Sequence, residues 1–275
     1  MGPQDLKSFQ PKSPSVPLFS RELGGAGAPP VVILHGMLGS SRNWQTAGGH
    51  MAQGRRVFAL DLRNHGQSPH ADTMSYAEMA GDVVAWMDAR GFSRVDLVGH
   101  SMGGKVAMVL ACVHPQRVGH LVVIDIAPKD YHWRARRDEF AAMNALELGD
   151  LKSRAEAEIR LEGRVPGWAM RKFLVTNLER TPGDGWRWQV NLPVLTHCLD
   201  SLESNPLAKS DRFLGPTLFA IGEKSTYVGP DDRGAILDHF PSAHLVTLAG
   251  SGHNPHIEAR EALVGAVLAE LGTPL

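Results

Sequence analysis

Five consecutive residues, Gly99-His100-Ser101-Met102-Gly103, have the types and order that a serine nucleophile needs. A serine hydroxyl is a weak nucleophile unless a sharp turn between a strand and a helix presents it to a base. Glycines beside the serine leave room for such a turn, and the first amides of the helix can donate to an oxyanion. The pentapeptide therefore predicts acyl transfer through Ser101, provided that a base, an acid and an oxyanion site lie elsewhere in the chain.

The base predicted for Ser101 is His253, in the glycine-rich segment of residues 250–253. That segment directly follows the last predicted strand, so His253 is expected at the same edge of a parallel sheet as Ser101. Its imidazole would take the serine proton and return it to the leaving group. His256 is the alternative base, but we expect it to begin the last helix, where solvent or a local hydrogen bond would satisfy it.

The acid that orients the base is predicted to be Asp125, at the end of an apolar run of residues 121–126. The usual chain order of serine, acid and histidine would place the acid after the run 217–221, but Ser225 occupies that position. A carboxylate in an apolar run is costly to bury unless it accepts hydrogen bonds, which a histidine N–H would supply. Ser225 is then a supporting hydrogen-bond partner. Local capping of a turn by Asp125 stays open, and so do three other acids near residue 225: Glu223, Asp231 and Asp232.

Two backbone amides, those of Met37 and Met102, are predicted to hold the oxyanion. Met37 lies after an early strand in the segment of residues 35–39, whose two glycines permit a tight turn. Met102 directly follows Ser101. Loss of one such donor typically costs about 3 kcal/mol of transition-state stabilisation.

Apolar runs and helix-like repeats alternate along the chain and would position these residues. The runs that predict buried strands are residues 31–34, 57–60, 95–98, 121–126, 217–221 and 244–248. Apolar residues at helical spacing predict helices over residues 76–87, 104–113 and 263–271. Gly91 is expected to end the first of these helices. The alternation predicts an α/β fold with a mostly parallel central sheet flanked by helices.

Residues 128–214 interrupt the alternation, because they contain charged helix-like stretches and turns but no convincing buried strand. We predict that they form a helical cap inserted into a core made of residues 16–127 and 215–275, after a disordered tail of residues 1–15. Two interpretations of the tryptophans in this segment stay open: a small core of the cap itself, or the lining of an apolar pocket. These residues are Trp133, Trp168, Trp186 and Trp188.

Several other polar residues are predicted to be structural. The loop of residues 61–68 is rich in polar side chains, and we expect a turn held by its own Asp, Asn and Arg. His35 and His100 are expected to support turns. Lys105, one turn into the helix after Ser101, is expected at the surface or as a packing residue.

The charge balance argues against nucleic acids and membranes as partners, so a small-molecule ester or thioester substrate is expected. Lys and Arg number 28 and Asp and Glu 29, a net charge of −1, so neither nucleic acid nor an anionic membrane is favoured. No apolar run approaches the roughly 18 residues of a transmembrane helix, so none is expected. Oligomeric state leaves no signal in the sequence.

The two cysteines indicate the redox compartment, and the absence of known binding motifs argues against a cofactor or a metal. Cys112 and Cys198 cannot form a disulfide framework, which suits a reducing compartment: the cytoplasm or, for a eukaryotic source, the mitochondrion. Neither a P-loop nor a C-x-x-C or H-E-x-x-H motif occurs. We therefore expect neither a cofactor nor a metal.

Taken together, the motifs resemble the α/β-hydrolase family over nearly all of residues 30–272. One branch, which contains small bacterial esterases with acyl-thioesterase activity and a mitochondrial abhydrolase-domain protein, is more similar than the rest. The segments that carry this resemblance are residues 61–69, 99–105, 124–128, 173–178 and 186–192. The resemblance implies an aspartate after the nucleophile's own βα unit, which matches Asp125, and a serine at the position of Ser225. Asn254 departs from the branch, where an aromatic residue commonly follows the histidine.

The predicted function is a serine hydrolase for short- to medium-chain carboxylic esters or acyl thioesters, acting through an acyl-enzyme that water resolves. Two alternatives remain. A cofactor-free haloperoxidase or perhydrolase would use the same triad with peroxide, and a non-catalytic ligand-binding protein could keep the scaffold. Dehalogenases and epoxide hydrolases need a carboxylate at position 101, so Ser101 argues against both.

Overall fold

The computed structural model describes residues 13–132 and 134–272. The strands are β1 Ser20–Gly24, β2 Val31–Leu34, β3 Val57–Leu60, β4 Val95–His100, β5 Val118–Ile124, β6 Leu178–Arg180, β7 Trp186–Trp188, β8 Thr217–Gly222 and β9 Ala243–Leu248. The helices are α1 Gln45–Met51, α2 Tyr76–Ala89, α3 Met102–Val113, α4 Arg134–Asn144, α5 Arg154–Leu161, α6 Trp168–Val175, α7 Leu192–His197, α8 Leu199–Glu203, α9 Asp232–His239, α10 Pro255–Glu258 and α11 Arg260–Glu270. Two short 3₁₀ segments are Ser41–Trp44 and Pro115–Arg117.

Across the described residues the central sheet has seven strands in the order β1-β3-β2-β4-β5-β8-β9. The edge strand β1 pairs antiparallel with β3, and the other neighbouring strands pair in parallel. The predicted α/β fold with a mostly parallel sheet is therefore confirmed. In a parallel sheet the carboxyl ends of the strands share one edge, so the loops after β2, β4, β5, β8 and β9 all emerge there.

Helices cover both faces of the sheet, and the alternation of side chains along β2 shows how. Val32 and Leu34 face the larger apolar cluster, which includes residues of α2 and α3. Val31 and Ile33 face a second cluster, formed with α1 and α11. All four side chains are fully buried, and each contributes roughly 1.5–3 kcal/mol by leaving water. Burial on both faces explains why this strand is a continuous apolar run.

The inserted segment, residues 128–214, lies between β5 and β8. In the part that the structure describes, it contains the five helices α4 to α8 and a small antiparallel sheet of β6 and β7. These two strands were not predicted, because they are short and only partly buried. The turn of residues 181–185 that joins them contains Asp184 with a φ of +59°.

The apolar side chains of the inserted segment join the larger cluster of the core. Leu174 and Leu195 belong to that cluster, and Trp186 and Trp188 pack against it while partly buried. Trp168 is different, because 63% of its surface is exposed. Trp133 lies outside the described residues. Two of the tryptophans therefore have a packing role, but they pack against the larger cluster and not in a separate small core of the inserted segment.

The predicted tail lies mostly outside the described residues, which begin at Ser13. Ser13 donates its hydroxyl to the Glu78 carboxylate at 2.8 Å, and the Pro14 carbonyl accepts from Arg63 at 3.4 Å. The chain is thus attached to the core from Ser13 onward. Among the described helices, none combines the length and the apolar character that crossing a bilayer requires.

Candidate active site

Three predicted residues meet at the carboxyl edge of the sheet. Ser101 follows β4, Asp125 follows β5, and His253 lies in the loop between β9 and α10. The Nε2 atom of His253 is 3.1 Å from the Ser101 Oγ, and its Nδ1 atom is 2.7 Å from Asp125 Oδ2. The three side chains therefore form one continuous hydrogen-bonded chain.

The turn at Ser101 is sharp and strained. Ser101 has φ +51° and ψ −119°, a conformation that typically costs a non-glycine residue about 1–3 kcal/mol. The glycines on either side permit close packing: a Cβ on Gly99 would lie 2.3 Å from the Gly103 carbonyl oxygen, and one on Gly103 would lie 2.5 Å from the Leu34 carbonyl oxygen. Both contacts are with backbone, so a larger residue at either position would force the turn apart.

Asp125 is buried, and its carboxylate accepts three hydrogen bonds. Oδ1 accepts from the Gly222 amide at 3.0 Å, while Oδ2 accepts from the Ser225 hydroxyl at 2.5 Å and from His253. These bonds offset the cost of removing the carboxylate from water. The Ser225 hydroxyl also accepts from the Tyr227 amide at 3.2 Å, which fixes its orientation.

The alternative acids contact other groups. The Glu223 carboxylate accepts from the Gly250 amide at 2.7 Å, and Asp232 forms an ion pair with Lys129 at 2.6 Å. Asp231 is exposed just before α9. Asp125 is the acid that the structure brings to His253.

His253 is held by its neighbours in a useful tautomer. Because Asp125 accepts at Nδ1, the proton lies there, and the lone pair of Nε2 faces the Ser101 hydroxyl. The Tyr227 ring stacks on the imidazole, with 3.6 Å between the ring centroids and 13° between the planes. The His253 carbonyl accepts from His100 Nε2 at 2.7 Å. Sequence reasoning missed Tyr227, because stacking between distant loops leaves no local pattern.

Two buried histidines join the turn that carries Met37 to the loop of residues 61–68. His35 accepts from the Leu62 amide at 3.0 Å, and His65 accepts from the Leu38 amide at 3.2 Å. Burial lowers the pKa of both imidazoles, that of His65 to about 3. Neutral rings can accept these bonds, so both histidines support backbone.

The two amides predicted for the oxyanion come from different elements. Met37 follows β2 and lines the cavity at the site, and Met102 is the first residue of α3. In the hydrogen bonds that the structure describes, neither amide has an acceptor. Both N–H groups are therefore available to a developing negative charge.

A cavity of about 370 Å³ opens onto Ser101 and His253. Apolar side chains from separate elements form much of its wall: Trp44, Met170, Phe173 and Ile257. Arg136, Asn43 and Asn254 add polar groups. Of the tryptophans in the inserted segment, the three described ones do not line this cavity, so the pocket interpretation is wrong for these three. Helix α6 contributes Met170 and Phe173 instead, and Trp44 comes from the 3₁₀ segment after β2.

The expectation for His256 is wrong. This residue lies in α10 but is 94% buried, and its ring stacks on Trp44 with 4.5 Å between centroids. Burial lowers its pKa to about 4, and Nδ1 has no hydrogen-bond partner among the described residues. His256 therefore lines the cavity as a neutral aromatic ring.

The expectation of a surface position for Lys105 is also wrong. Its side chain has no exposed surface and lies among three backbone carbonyls and two tyrosine rings. The loop of residues 61–68 is held by its own Asp61, as expected, which accepts from the Gln67 amide at 2.8 Å. The other two side chains expected to hold it bond outside the loop: Arg63 reaches Asp82 of α2 at 2.6 Å, and Asn64 accepts from the Ala71 amide at 2.8 Å.

Comparisons with known proteins show which family and which solved structures this chain is similar to. The model of a family described as alpha/beta hydrolase fold matches residues 29–260. A mouse protein named sn-1-specific diacylglycerol lipase ABHD11 is 38% identical over 89% of this chain and 81% of its own. Esterase YbfF of Escherichia coli is 34% identical over 86% of this chain and 91% of its own. The solved structure of a marine microorganism esterase, 34% identical, superposes with a TM-score of 0.90 over 93% of this chain and 99% of that one.

Proposed function

This chain belongs to the alpha/beta hydrolase family, and from that premise we propose that it is a serine hydrolase of short- to medium-chain carboxylic esters or acyl thioesters. The observation that carries the proposal is the hydrogen-bonded chain from Ser101 through His253 to Asp125 at the cavity. Each link is within hydrogen-bond distance, as an activated serine nucleophile requires. The names of the similar proteins, esterase and lipase, support the same class of reaction.

The proposed reaction follows from the positions of these groups. The Ser101 oxygen attacks the acyl carbonyl while His253 Nε2 takes its proton, and the amides of Met37 and Met102 donate to the oxyanion. His253 then gives the proton to the departing alcohol or thiol, which leaves an acyl-enzyme. Water attacks that ester by the same route. Asp125 keeps the imidazole in the required tautomer and stabilises the imidazolium.

Ser225 acts in this scheme as a second donor to the carboxylate. Its hydroxyl lies 2.5 Å from the same Asp125 oxygen that accepts from His253. It holds the carboxylate in place without contacting Ser101 or the imidazole nitrogen. We therefore assign Ser225 a positioning role.

The substrate class is proposed from the cavity. Its volume of about 370 Å³ lies within the range of ~300–1,000 Å³ that is usual for small-molecule sites. Apolar walls of Trp44, Met170 and Phe173 suit an acyl chain. Because two of these side chains belong to α6, we propose that the inserted segment acts as a cap over a core of residues 16–127 and 215–275.

Hydrolysis of p-nitrophenyl esters from acetate to decanoate tests the proposal. We expect the purified wild type to turn over these esters, and Ser101→Ala to reduce kcat to near background. Asp125→Asn should reduce kcat by about 10⁴-fold, because an uncharged amide no longer fixes the imidazole tautomer. The matched control is Asp231→Asn, which removes an exposed carboxylate close in sequence and should leave kcat unchanged.

Each result has a defined meaning. A wild-type-like rate in Asp125→Asn would show that the acid lies elsewhere. If no ester is hydrolysed by the wild type, the esterase proposal is wrong. Peroxide-dependent bromination would then distinguish a perhydrolase from a ligand-binding protein.

A further inference from the structure

Lys105 places a cation inside the protein, one turn after Ser101 on α3. Its side chain has no exposed surface. Its Nζ atom donates to the carbonyl oxygens of Lys129 at 3.1 Å, Glu203 at 3.1 Å and Ser204 at 2.6 Å. An ammonium group has three protons, and three acceptors surround it.

The three acceptors lie at the two ends of the helical part of the inserted segment. Lys129 precedes its first helix and its last helix, α8, ends at Glu203, so we call residues 129–131 and 203–205 its two junctions. The junctions also bond to each other: the Tyr131 amide donates to the Glu203 carbonyl at 2.9 Å, and the Asn205 amide donates to the Asp130 carboxylate at 2.6 Å. One side chain on the nucleophile's helix therefore holds both ends of the inserted segment.

The groups around this ammonium stabilise its charge, whereas its burial disfavours the charge. The Tyr131 and Tyr76 rings lie 4.8 and 5.6 Å from Nζ, and favour a cation. The titratable groups that face it from the two junctions are Lys129, Asp130 and Glu203, with Arg137 paired to Glu203 at 2.6 Å and Asp232 paired to Lys129. Burial lowers the pKa of Lys105 to about 7, in spite of the two carboxylates, which act to raise it.

We infer that Lys105 is a positioning residue that holds the inserted segment over Ser101, and that this hold weakens when the ammonium group loses a proton. A neutral amine keeps two donors and gains a lone pair, so one of the three carbonyls loses the donor that Lys105 supplied and faces a repulsive lone pair. The inserted segment supplies Met170 and Phe173 to the cavity wall. A looser segment therefore weakens binding of long acyl chains, while the chemistry at Ser101 continues.

The inference rests on the proposed hydrolase function for its kinetic test. We expect KM for p-nitrophenyl octanoate to rise about three- to tenfold in the wild type as pH increases from 6 to 8.5, the effect of losing one hydrogen bond of ordinary strength. In Lys105→Met, KM should be high at both pH values. In Lys105→Arg, whose guanidinium stays charged, KM should not rise over this range.

Three controls distinguish a positioning role of Lys105 from general damage to the active site. The pH profile of kcat should be the same in all variants. The acyl group of p-nitrophenyl acetate is too short to contact the cavity wall formed by the inserted segment, so KM for this ester should change less than about twofold. Lys209→Met removes an exposed lysine and should behave as the wild type. A KM for octanoate that is identical in wild type and Lys105→Met at both pH values would overturn the inference.

Hydrogen exchange on the unmodified protein tests the same inference without variants or substrate. We expect the amides of Tyr131 and Asn205 to lose protection between pH 6 and 8.5, after correction for intrinsic exchange rates, while those of β4 keep it. Unchanged protection at both junctions contradicts the inference, even if Lys105→Met and Lys105→Arg do not fold. If the wild type hydrolyses no ester, the proposed function fails, and exchange alone still decides the role of Lys105.

Discussion

One oxygen of the Asp125 carboxylate accepts two hydrogen bonds. Oδ2 accepts from both Ser225 and His253, while Oδ1 is occupied by the Gly222 amide. The two carboxylate oxygens have enough lone pairs for all three donors. The three hydrogen bonds therefore fix the orientation in which the carboxylate accepts from the imidazole.

Ser101, Asp125 and His253 were predictable from the sequence because each lies at or shortly after the end of an apolar run. The backbone of a parallel sheet brings such positions together, so order along the chain is enough to place them. Trp44, Tyr227 and His256 could not be found in this way. Each reaches the site through contacts between distant loops, and such contacts leave no spacing in the sequence.

The buried histidines predict a loss of stability in mild acid. The pKa of His256 is lowered to about 4 in the folded chain, against about 6.5 when unfolded. Between these values the unfolded chain binds more protons, so the free energy of unfolding falls as pH falls, by up to about 1.4 kcal/mol per pH unit for each such histidine. His256→Phe keeps an aromatic ring beside Trp44 and should reduce this slope. Urea unfolding at pH 7 and pH 5 measures it, and an unchanged slope in the variant would contradict the assignment.

At the scale of elements, the continuous apolar runs β2 and β3 were predicted to the residue, because burial on both faces allows few polar residues. The edge strand β1 and the small strands β6 and β7 were missed, since their mixed exposure resembles that of loops. The run 121–126 was placed too late: β5 begins at Val118 and ends at Ile124. Its end matters for the site, because Asp125 turns out of the strand with a φ of +51°.

The contact between β2 and α3 predicts unequal effects of two alanine substitutions. In Gly103→Ala the added Cβ would lie 2.5 Å from the Leu34 carbonyl oxygen, so the strand and the helix must separate. We expect the free energy of unfolding to fall by about 1–3 kcal/mol and most of the activity to be lost. Gly265→Ala in α11 meets open space and should stabilise the protein by roughly 0.5–1 kcal/mol. Urea unfolding of both variants checks this. Equal stability in the two would show that the turn at Ser101 is less tightly packed than described.

At the scale of the whole molecule, the order of strands explains why the site is where it is. Strands β4, β5, β8 and β9 are consecutive neighbours, so the loops that carry Ser101, Asp125, Ser225 and His253 emerge side by side. The inserted segment leaves after β5 and returns before β8, which places it at the same edge. Fold and site were predictable together for this reason, whereas the side chains of the cavity wall depend on how the segment packs.

Covalent labelling of the intact protein tests the central claim most directly. A fluorophosphonate reacts with an activated serine, and mass spectrometry of peptides identifies the labelled residue. We expect a single adduct on Ser101 in the wild type, none in Ser101→Ala, and much slower labelling in His253→Gln, because the base that activates the hydroxyl is absent. An adduct on another residue, or ester hydrolysis that persists in Ser101→Ala, would contradict the account.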